Sequence, residues 1–582
     1  MHQRLRIIAV AFLGILILLS GRLLDIQLIR TTQFSKHDVN LLEASVAQRT
    51  QSVVLHDGRG DFIDRHGQPL GFNRQAILIF PSLQQSNEQI LQLSEWLSME
   101  KSDIVSQLED HQLPFLLKNN NEVVTVDSQT TLPLSMASSG SVLMVSAPPE
   151  RPRQIAQHVI GITGENEALL KQRYEDEYGA DIKKGTDTGL TGLEKALDPL
   201  LISRGQEQLL YHEDLLGRPM FGSDMKYIGE GNSFYPLRAK LTIDGVIQRN
   251  AEQFVRQAGI QKGGIVLLDV QTNDLLAMVS VPAIDQAQPM QGGGAVNYMV
   301  QTAFPGSTFK IVTAALAIDQ YAQLNQRRFN CNQNVYGEQG AQRQLGQLTF
   351  KQSFAQSCNV TFATLLQEMM ETNEDILYQY AEQLGLTNRA GWVGDIYRLE
   401  NVAHFPEEGA PIIWGNETDK RVKKAIAQTA IGQKNVRTTP LQVANMMASI
   451  ARQGPVYRVR SVEEIQYKNE QLFFPFSRQK ISGGLSPYTY RVLQELLEAV
   501  VDEGTGQAFA NIKGGVAGKS GTAETGQEGL VHKWFAGYFP RKNPTYALVA
   551  VSLDTNEGDP SAYDAFQMLA THLMGEDGSR QQ

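Results

Sequence analysis

The sequence reads Phe304-Pro305-Gly306-Ser307-Thr308-Phe309-Lys310 at the point where an apolar run, Ile311 to Ala317, begins. Pro and Gly are poorly tolerated inside helices, so they mark a boundary, and about seventeen residues after them predict one buried helix. Ser307 is therefore expected at a helix start. Lys310 follows one turn later on the same face, because an α-helix turns every ~3.6 residues. The stretch places a hydroxyl and an amine side by side.

A serine at a helix start is well placed for nucleophilic chemistry. The N–H groups of the first turn have no partner within the helix, so they can stabilise negative charge that forms beside the serine oxygen. If apolar neighbours desolvate Lys310, its pKa falls and its neutral amine can accept the serine proton. The other interpretation is an ordinary helix N-cap. Ser-x-x-Lys occurs four times, starting at Ser98, Ser223, Ser307 and Ser477, but only Ser307 opens a long apolar helix.

Length and composition limit the kind of protein this is. The chain has 582 residues, 42% hydrophobic and 20% charged, which predicts a folded protein of about two to four domains. Its net charge of −10 argues against nucleic acid as a partner, because phosphate binding needs basic patches. Two cysteines, Cys331 and Cys358, are too few for a disulfide framework, and we expect both to be free. The ten histidines lack metal-binding spacing, so no metal or cofactor is expected.

The N-terminus predicts a membrane anchor. Arg4 and Arg6 precede an uncharged run from Ile7 to Gly21. Fifteen residues fall short of the ~20 that span a bilayer, but a helix that continues to Leu24 is long enough if Arg22 reaches the outer interface. An uncleaved single-pass helix is favoured, with the N-terminus cytoplasmic and the bulk of the chain outside the cell membrane. A cleaved signal peptide is the alternative.

Three domains are predicted in an α+β protein. Residues 1–30 are the cytoplasmic tip and the transmembrane anchor. Residues 31–240 begin with a polar stalk up to residue 51, and then mix strand-like and amphipathic helical pieces in an elongated pedestal domain, with a Pro-rich break at 148–152. Residues 241–582 begin with two strands, continue as helices to about residue 453, and end with further strands. Helices packed against an antiparallel sheet are therefore expected. The strands are predicted at 263–270, 274–280, 515–521, 533–539 and 546–553.

Two further motifs occur once each, after Ser307. Ser357-Cys358-Asn359 lies in an expected helical run from Ser353 to Met370 and is the sole Ser-x-Asn of the chain. Lys519-Ser520-Gly521-Thr522 lies on a predicted strand and is the sole Lys-Ser/Thr-Gly. Their order and rarity favour a catalytic interpretation of Ser307.

These residue types supply what attack on an amide needs. The reaction requires a deprotonated hydroxyl, a proton route to the leaving amine, an oxyanion hole and a site for the substrate's carboxylate. We expect Ser307 as nucleophile, Lys310 as its base, and Ser357 as a proton relay toward Lys519 and the leaving nitrogen. The oxyanion hole would be the backbone N–H groups of Ser307 and Thr522. The expected substrate-binding groups are the Asn359 amide, Gly521 at the strand edge, and the Ser520 and Thr522 hydroxyls.

The three motifs together resemble those of penicillin-binding proteins and serine β-lactamases. Residues 305–310 are similar to the Pro-Gly-Ser-Thr-Phe-Lys of class B, monofunctional peptidoglycan D,D-transpeptidases. Arg59 to Leu70 resembles the opening of their pedestal domain, and Gly189 to Glu194 resembles their Gly-x-x-Gly-Leu-Glu. The resemblance implies a five-stranded antiparallel sheet packed with helices and an acyl-enzyme on Ser307. It also implies stem-peptide substrates, covalent inhibition by β-lactams and a membrane glycosyltransferase partner.

Other functions share these motifs. A D,D-carboxypeptidase or a β-lactamase would be a hydrolase of the same fold, although the long region before residue 241 and the anchor argue against a small secreted β-lactamase. A non-enzymatic β-lactam sensor would acylate and stop, and we find no signalling domain. A bifunctional enzyme is disfavoured, because residues 31–240 show no acidic glycosyltransferase motif.

Overall fold

The computed structural model describes residues 2–580 with gaps at 30, 32–39, 42–49, 57, 71–73, 81–82, 85, 112–113, 120–121, 128–130, 134–135, 137–140, 147–154, 180, 206, 213–225, 229–233 and 286–287. The predicted stalk therefore lies almost entirely outside the described residues, and the Pro-rich break and the turn at Ser223 lie wholly outside them.

The described α-helices are numbered in chain order. They are α1 His2–Leu24, α2 Asn87–Leu97, α3 Lys101–Asp110, α4 Gln157–Ile160, α5 Glu167–Arg173, α6 Gly192–Ala196, α7 Asp198–Leu201, α8 Gly245–Ala258, α9 Lys310–Gln320, α10 Phe350–Ala355, α11 Asn359–Met370, α12 Ile376–Gln383, α13 Lys423–Thr429, α14 Pro440–Arg452, α15 Pro487–Glu503 and α16 Ser561–Arg580. Single 3₁₀ turns lie at Gly306–Phe309, Leu324–Gln326, Glu417–Arg421 and Gln507–Phe509, and a π-helical turn lies at Asp25–Ile29.

The described strands are numbered in the same way. They are β1 Thr50–His56, β2 Asp61–Ile63, β3 Arg74–Ile79, β4 Phe115–Leu116, β5 Lys118–Asn119, β6 Glu122–Val123, β7 Thr125–Asp127, β8 Val142–Ser146, β9 Thr163–Glu165, β10 Asp187–Gly189, β11 Glu207–His212, β12 Lys226–Ile228, β13 Arg238–Leu241, β14 Gly263–Asp269, β15 Leu275–Val281, β16 Arg328–Asn330, β17 Gln347–Thr349, β18 Val393–Ile396, β19 Leu399–Ala403, β20 Val456–Tyr457, β21 Val462–Gln466, β22 Leu472–Pro475, β23 Lys480–Ser482, β24 Ala517–Glu524, β25 Leu530–Phe539 and β26 Tyr546–Asn556.

The chain forms two compact units, each built from separated segments. The first contains Met1–Gly58, Asn73–Pro148 and Gly205–Asn232. The second contains Arg59–Phe72, Pro149–Arg204 and Ser233–Gln582. The division of the chain at residue 240 into a pedestal and a transpeptidase domain stays a prediction.

In the first unit, the N-terminal helix has the length and composition of one membrane span. Ile7–Ile29 covers 23 residues with a mean hydropathy of 2.5, and it is not buried inside the protein. At ~1.5 Å per residue this length matches the ~30 Å hydrocarbon thickness of a bilayer. The apolar side chains that point outward are the ones a bilayer would cover.

The same unit also contains a small mixed α/β layer. β3 pairs antiparallel with β4, β7 and β8, and α2 and α3 share a buried cluster with β3 that includes Ile77, Ile90 and Ile104. A second sheet has the order β1-β11-β12. Strands and helices alternate here as the sequence predicted.

The centre of the second unit is a five-stranded antiparallel sheet with the order β15-β14-β26-β25-β24. Two strands from the start of the predicted domain thus pair with three from its end, which confirms the predicted sheet. Successive side chains point to opposite sides of a strand, and a separate apolar cluster buries each face of this sheet. In β14, Ile265 joins α8 and α16 in one apolar cluster, while Val266 joins a larger cluster with the helices between β15 and β24.

Helix α9 lies in that larger cluster. Its residues from Lys310 to Ile318 are all buried, including Ile311 and Leu316. A helix that is apolar on every side belongs in a core, which explains why the sequence showed no polar face here. The helix anchors the residues that precede it.

A buried ion-pair network joins two stretches that the sequence had marked separately. Arg59 Nε donates to Glu194 Oε2 at 2.9 Å, and Arg59 Nη2 lies 2.8 Å from Asp198 Oδ1. Arg59 is 1% exposed. The Arg59–Leu70 and Gly189–Glu194 stretches therefore meet within the second unit.

Cys331 and Cys358 form a disulfide bond, so the expectation of free thiols is wrong. Their Cα atoms lie 5.9 Å apart, within the range that disulfide geometry allows. They are separated by 27 residues along the chain, and β16, β17 and α10 fold that segment back on itself. A count of two cysteines carried no information about this proximity.

Candidate active site

Ser307 lies in the 3₁₀ turn Gly306–Phe309, directly before α9. Gly306 has a φ of +52°, which favours glycine, and its N–H donates to the carbonyl of Gly432 at 3.0 Å. Ser307 itself is half-buried. The predicted helix start is confirmed, and a tight turn held by a neighbouring loop presents the serine.

Strand β24 lies directly against this turn. A Cβ added to Gly306 would collide with the carbonyl oxygen of Thr522, and one added to Gly521 would lie 2.9 Å from Thr308 Cγ2 and 3.0 Å from Pro305 O. Both glycines are thus required for close approach of two backbones. Since β24 is an edge strand of the sheet, the approach brings the Lys519–Thr522 motif beside Ser307.

Ser357 lies in a short connection rather than inside a helix. Helix α10 ends at Ala355 and α11 begins at Asn359, so the expected helical run from Ser353 to Met370 is wrong near its start, at residues 356–358. Ser357 has a φ of +58°, a left-handed conformation that interrupts a helix. Its N–H donates to Phe354 O at 3.1 Å. The connection turns the serine hydroxyl toward α9 and β24.

Lys310 is fully buried and contacts the Ser-x-Asn motif. Its Nζ donates to Ser357 O at 2.8 Å, to Ser357 Oγ at 3.1 Å and to Asn359 Oδ1 at 2.6 Å. The Phe362 ring lies 5.5 Å from the same nitrogen. Burial lowers the pKa of Lys310 well below its usual value, and the positive charges of Lys519 and Arg343 lower it further.

Lys519 is the second fully buried lysine of the site. Its Nζ donates to Ser357 Oγ at 3.1 Å and to Ser520 O at 3.0 Å. Burial, with a further contribution from the charge of Arg343, lowers the pKa of Lys519 to about 7. Neither lysine has a carboxylate partner within 4 Å among the described residues, so hydrogen bonds to neutral oxygens, and no counter-charge, compensate for the burial of their charge.

This geometry allows a proton to be transferred between the two lysines. Ser357 Oγ contacts both lysines, and a hydroxyl both donates and accepts, so it can pass a proton between them. Ser307 Oγ is not among the hydrogen-bond partners of Lys310 within the described part of the chain. To accept the Ser307 proton, Lys310 must exchange one of its three present partners for that oxygen, a change that substrate binding can bring about.

The predicted substrate-binding groups lie around the same cleft but differ in exposure. Asn359 and Thr522 are exposed, whereas Ser520 is buried and its hydroxyl contacts Thr505 Oγ1 at 2.6 Å. Thr522 is thus the more accessible hydroxyl of the strand. Lys533 lies on the neighbouring strand, and its Nζ is 3.4 Å from Thr522 Oγ1.

Two domain families match the chain. The penicillin-binding protein transpeptidase domain matches residues 263–570, which is more than half of the chain, and the penicillin-binding protein dimerisation domain matches residues 56–218. The chain is a class B penicillin-binding protein. The first of these matches contains Ser307, Ser357 and Lys519 with all the residues around them.

Individual relatives of this penicillin-binding protein are distant. The chain is 23% identical to peptidoglycan D,D-transpeptidase MrdA of Haemophilus influenzae over 95% of this chain and 89% of that one. It is 26% identical to a peptidoglycan D,D-transpeptidase FtsI homolog of Mesostigma viride, over 54% of this chain and only 56% of the relative. A solved structure titled as a peptidoglycan synthase complex that coordinates polymerization and crosslinking has a chain with the same fold. Its TM-score is 0.63 at 24% identity, with 98% of each chain covered.

Several residues of this penicillin-binding protein's cleft were not predicted from the sequence. Arg343 lies in an irregular connection, Thr505 follows α15, and Phe354 and Phe362 are ordinary apolar positions of α10 and α11. Lys533 had one usable signal, since it belongs to the strand predicted to follow the Lys-Ser-Gly strand. The sequence does not give the register between the two strands, so membership of that strand did not predict that Lys533 lies opposite Thr522.

Proposed function

We propose that this protein is a serine-type peptidoglycan D,D-transpeptidase that forms its acyl-enzyme on Ser307. One observation carries the proposal: Ser357 Oγ contacts two buried, charge-destabilised lysines immediately beside the turn that presents Ser307. This arrangement provides a nucleophile, a base and a proton route within one cleft. The family and the names of the relatives support the same reaction.

Acylation would proceed with Lys310 as base. Ser307 Oγ attacks the carbonyl carbon of the penultimate D-Ala of a stem peptide and transfers its proton to Lys310. The N–H groups of Ser307 and Thr522 would hold the oxyanion. When the C–N bond breaks, a proton from Lys310 reaches the leaving nitrogen through Ser357, with Lys519 keeping the relay polarised. The terminal D-Ala departs and an ester remains on Ser307.

Transfer would reverse these proton movements. An amine from a neighbouring stem peptide attacks the ester carbonyl and gives its proton to the base, and the C–Oγ bond breaks as Ser307 regains a proton. The product is an amide cross-link. In the same proposal the Asn359 amide, Gly521 at the strand edge, and the Ser520 and Thr522 hydroxyls bind the donor, and a β-lactam acylates Ser307 without being transferred. No metal or cofactor takes part.

In the same proposal, the enzyme is anchored in the cell membrane. The N-terminal helix would cross the cell membrane once, with its arginines inside and the catalytic cleft outside, where stem peptides are cross-linked. Residues 31–240 would form the pedestal and residues 241–582 the transpeptidase domain. A membrane glycosyltransferase that supplies new glycan strands would be the partner.

Labelling by a fluorescent penicillin tests the site. The native chain should acquire the label, and Ser307→Ala should not, while Ser477→Ala, which alters another Ser-x-x-Lys match, should label normally. Label on Ser307→Ala would refute the assignment. Paired donor and acceptor stem peptides then test the reaction, because a cross-linked dimer indicates transfer. Hydrolysed monomer alone would indicate a carboxypeptidase, and an ester that forms but never turns over would indicate a β-lactam sensor.

A further inference from the structure

Arg437 lies against Phe304, which precedes Ser307 by three residues. Its Cζ is 3.2 Å from the centroid of the Phe304 ring. Reciprocal backbone hydrogen bonds between Ala303 and Thr438, 2.9 and 3.1 Å long, join the two segments that carry the stacked side chains. The guanidinium is therefore held in place beside the turn that presents Ser307.

The guanidinium of Arg437 has no counter-charge within the part of the chain that the structure describes. Its Nη1 donates to the carbonyl oxygens of Val436 and Lys434, at 3.1 and 3.5 Å. No carboxylate oxygen of a described residue, including Glu524 at the end of β24, lies within 4 Å of it, whereas the side chain of Lys434 pairs with Asp419 at 3.4 Å. Arg437 is half-buried, and burial lowers its pKa. An anion would replace the hydration that this cation has lost.

One edge of the Arg437 guanidinium is open. Its Nε and Nη2 make no hydrogen bond to any described residue. Arg460 shows what this edge binds, because its Nε and Nη2 donate to the two carboxylate oxygens of Asp274 at 2.7 and 3.0 Å. The same two groups of Arg437 therefore form a fork that matches a carboxylate.

The stacked pair lies beside the part of β24 that follows Thr522. Ala523 is the next residue of the strand, and its cross-strand neighbour is His532. The His532 ring lies 6.4 Å from the Phe304 ring, and the charge of Arg437 helps to lower the pKa of His532. Arg437 is thus near the Ala523 end of the strand, beyond the Lys519–Thr522 motif.

A donor bound as proposed above would pass this point. Its last residue binds at the hydroxyl groups of Ser520 and Thr522, and its scissile carbonyl reaches Ser307. The residues before the scissile bond then extend along the strand edge past Ala523, at ~3.3 Å per residue. A side chain in this part of the donor comes beside Arg437.

We propose that Arg437 binds a carboxylate in the acyl portion of the donor, on a side chain one or two residues before the scissile bond, and that the enzyme thereby selects acidic donors. The inference rests on the proposed function, because it assigns a binding residue to the same acylation reaction. This carboxylate is not the terminal one, since it stays on the acyl-enzyme when the terminal D-Ala departs. Arg437 contributes a charge-assisted, two-pronged hydrogen bond and takes no part in proton transfer.

The test uses penicillins that differ at one carbon of the side chain, which belongs to the acyl portion. Benzylpenicillin carries hydrogen there, carbenicillin a carboxylate and ampicillin an ammonium group, while all three share the carboxylate of the penicillin nucleus. Second-order acylation rates are measured for the native full-length chain, Arg437→Gln, Arg437→Lys and Arg478→Gln. Arg478 is the matched control, because it is exposed and its Cζ lies 4.2 Å from the centroid of the Tyr457 ring.

We expect Arg437→Gln to lower the ratio of the carbenicillin rate to the benzylpenicillin rate on the order of 10-fold, because a hydrogen bond between two charged groups is lost. The ratio of the ampicillin rate to the benzylpenicillin rate should stay level or rise, since a repelling cation has been removed. Arg437→Lys should keep the carbenicillin ratio within about threefold of the native value. Arg478→Gln should change neither ratio by more than about twofold.

The rate ratios separate binding from structure. A variant that merely disturbs the turn before Ser307 slows all three penicillins equally, so unchanged ratios would overturn the proposal whatever the absolute rates. The native chain provides a second measurement in case Arg437→Gln does not fold: its carbenicillin ratio should fall as NaCl is raised from about 50 mM to about 1 M, because salt screens a partly exposed charge. A ratio that does not respond to salt would also overturn the proposal.

Failure of these tests leaves the acyl-enzyme itself untouched, provided that Ser307→Ala still abolishes labelling by penicillin. If Ser307→Ala keeps its label, it is the proposed function that fails.

Discussion

Lys310 and Lys519 reach the same oxygen, because the Nζ atom of each lies 3.1 Å from Ser357 Oγ. Two full charges so close together in a buried site would repel each other strongly. The charge of Lys519 is one of the causes that lower the pKa of Lys310, and the pKa of Lys519 itself is about 7. The charge of Lys519 therefore favours the neutral form of Lys310, which is the form that a base requires.

Removal of the positive charge at Arg343 should shift the pH dependence of acylation. That charge lowers the pKa of both lysines, so Arg343→Gln should raise them and move the acid limb of the rate profile to higher pH. We expect a small shift, because Arg343 is exposed and its charge is screened by solvent. Penicillin acylation rates from pH 5 to 9 provide the measurement. Arg328→Gln, which changes another exposed arginine, should leave the profile in place.

Lys519 should make the folded protein more stable at alkaline pH. Its pKa is about 7 in the folded state and ~10.5 when unfolded, so between these values the unfolded chain binds the extra proton. Stability from this group therefore increases as the pH rises from 7 toward 10.5. Between pH 7 and pH 9, the melting temperature of Lys519→Met should rise less, or fall more, than that of the native chain. If the melting temperatures of the two proteins change equally with pH, burial does not lower the pKa of Lys519 in the folded state.

Gly306→Ala should separate Ser307, the proposed nucleophile, from β24. The added methyl group would overlap the carbonyl of Thr522, and φ at this residue is +52°. We expect penicillin acylation to fall at least about 100-fold, because misplacement of a reacting group by ~1 Å can cost that much. Gly526→Ala is the control, since Gly526 has a φ of +81° with open space around its Cβ position. If both variants lose activity equally, backbone strain rather than the collision is responsible.

Loss of the disulfide should weaken the region around Ser357. A cross-link that closes 27 residues stabilises the folded state by about 3.5 kcal/mol in the chain-entropy treatment. Because Cys358 lies between Ser357 and Asn359, we expect the double variant Cys331→Ala/Cys358→Ala to lower both the melting temperature and the acylation rate. Reductant should reproduce these effects in the native chain and add nothing in the double variant. If reductant also lowers the melting temperature or the acylation rate of the double variant, its effect does not come from the Cys331–Cys358 disulfide.

Arg59→Met should destabilise the second unit by about 3–5 kcal/mol, because it leaves the buried carboxylates of Glu194 and Asp198 without their shared cation. Thermal unfolding followed by tryptophan fluorescence provides the measurement. Arg204→Met is the comparison: Arg204 pairs with Glu177 while both are well exposed, so the expected cost is below about 1 kcal/mol. Equal costs for the two variants would contradict the burial argument.

The sequence predicted most elements because their patterns are local. The apolar run after Ser307, the strand pair around 271–273 and the late strands all formed as expected, since side-chain periodicity and turn residues act within a few positions. Predictions were wrong where distant contacts decide the outcome. The disulfide at Cys358 depends on Cys331, 27 residues away, and the connection between α10 and α11 carries the Ser357 hydroxyl, which contacts the distant Lys310 and Lys519.

By itself, the sequence determined the three motifs, their order and the family resemblance, because these depend only on which residues follow which. The tertiary structure decided how the motifs act together. Close packing of Gly306 and Gly521 placed β24 beside Ser307, and burial among apolar side chains lowered the pKa values of both lysines. Strand register alone brought Lys533 to Thr522. Desolvation and distance between remote residues are properties of the folded chain, and no local pattern in the sequence encodes them.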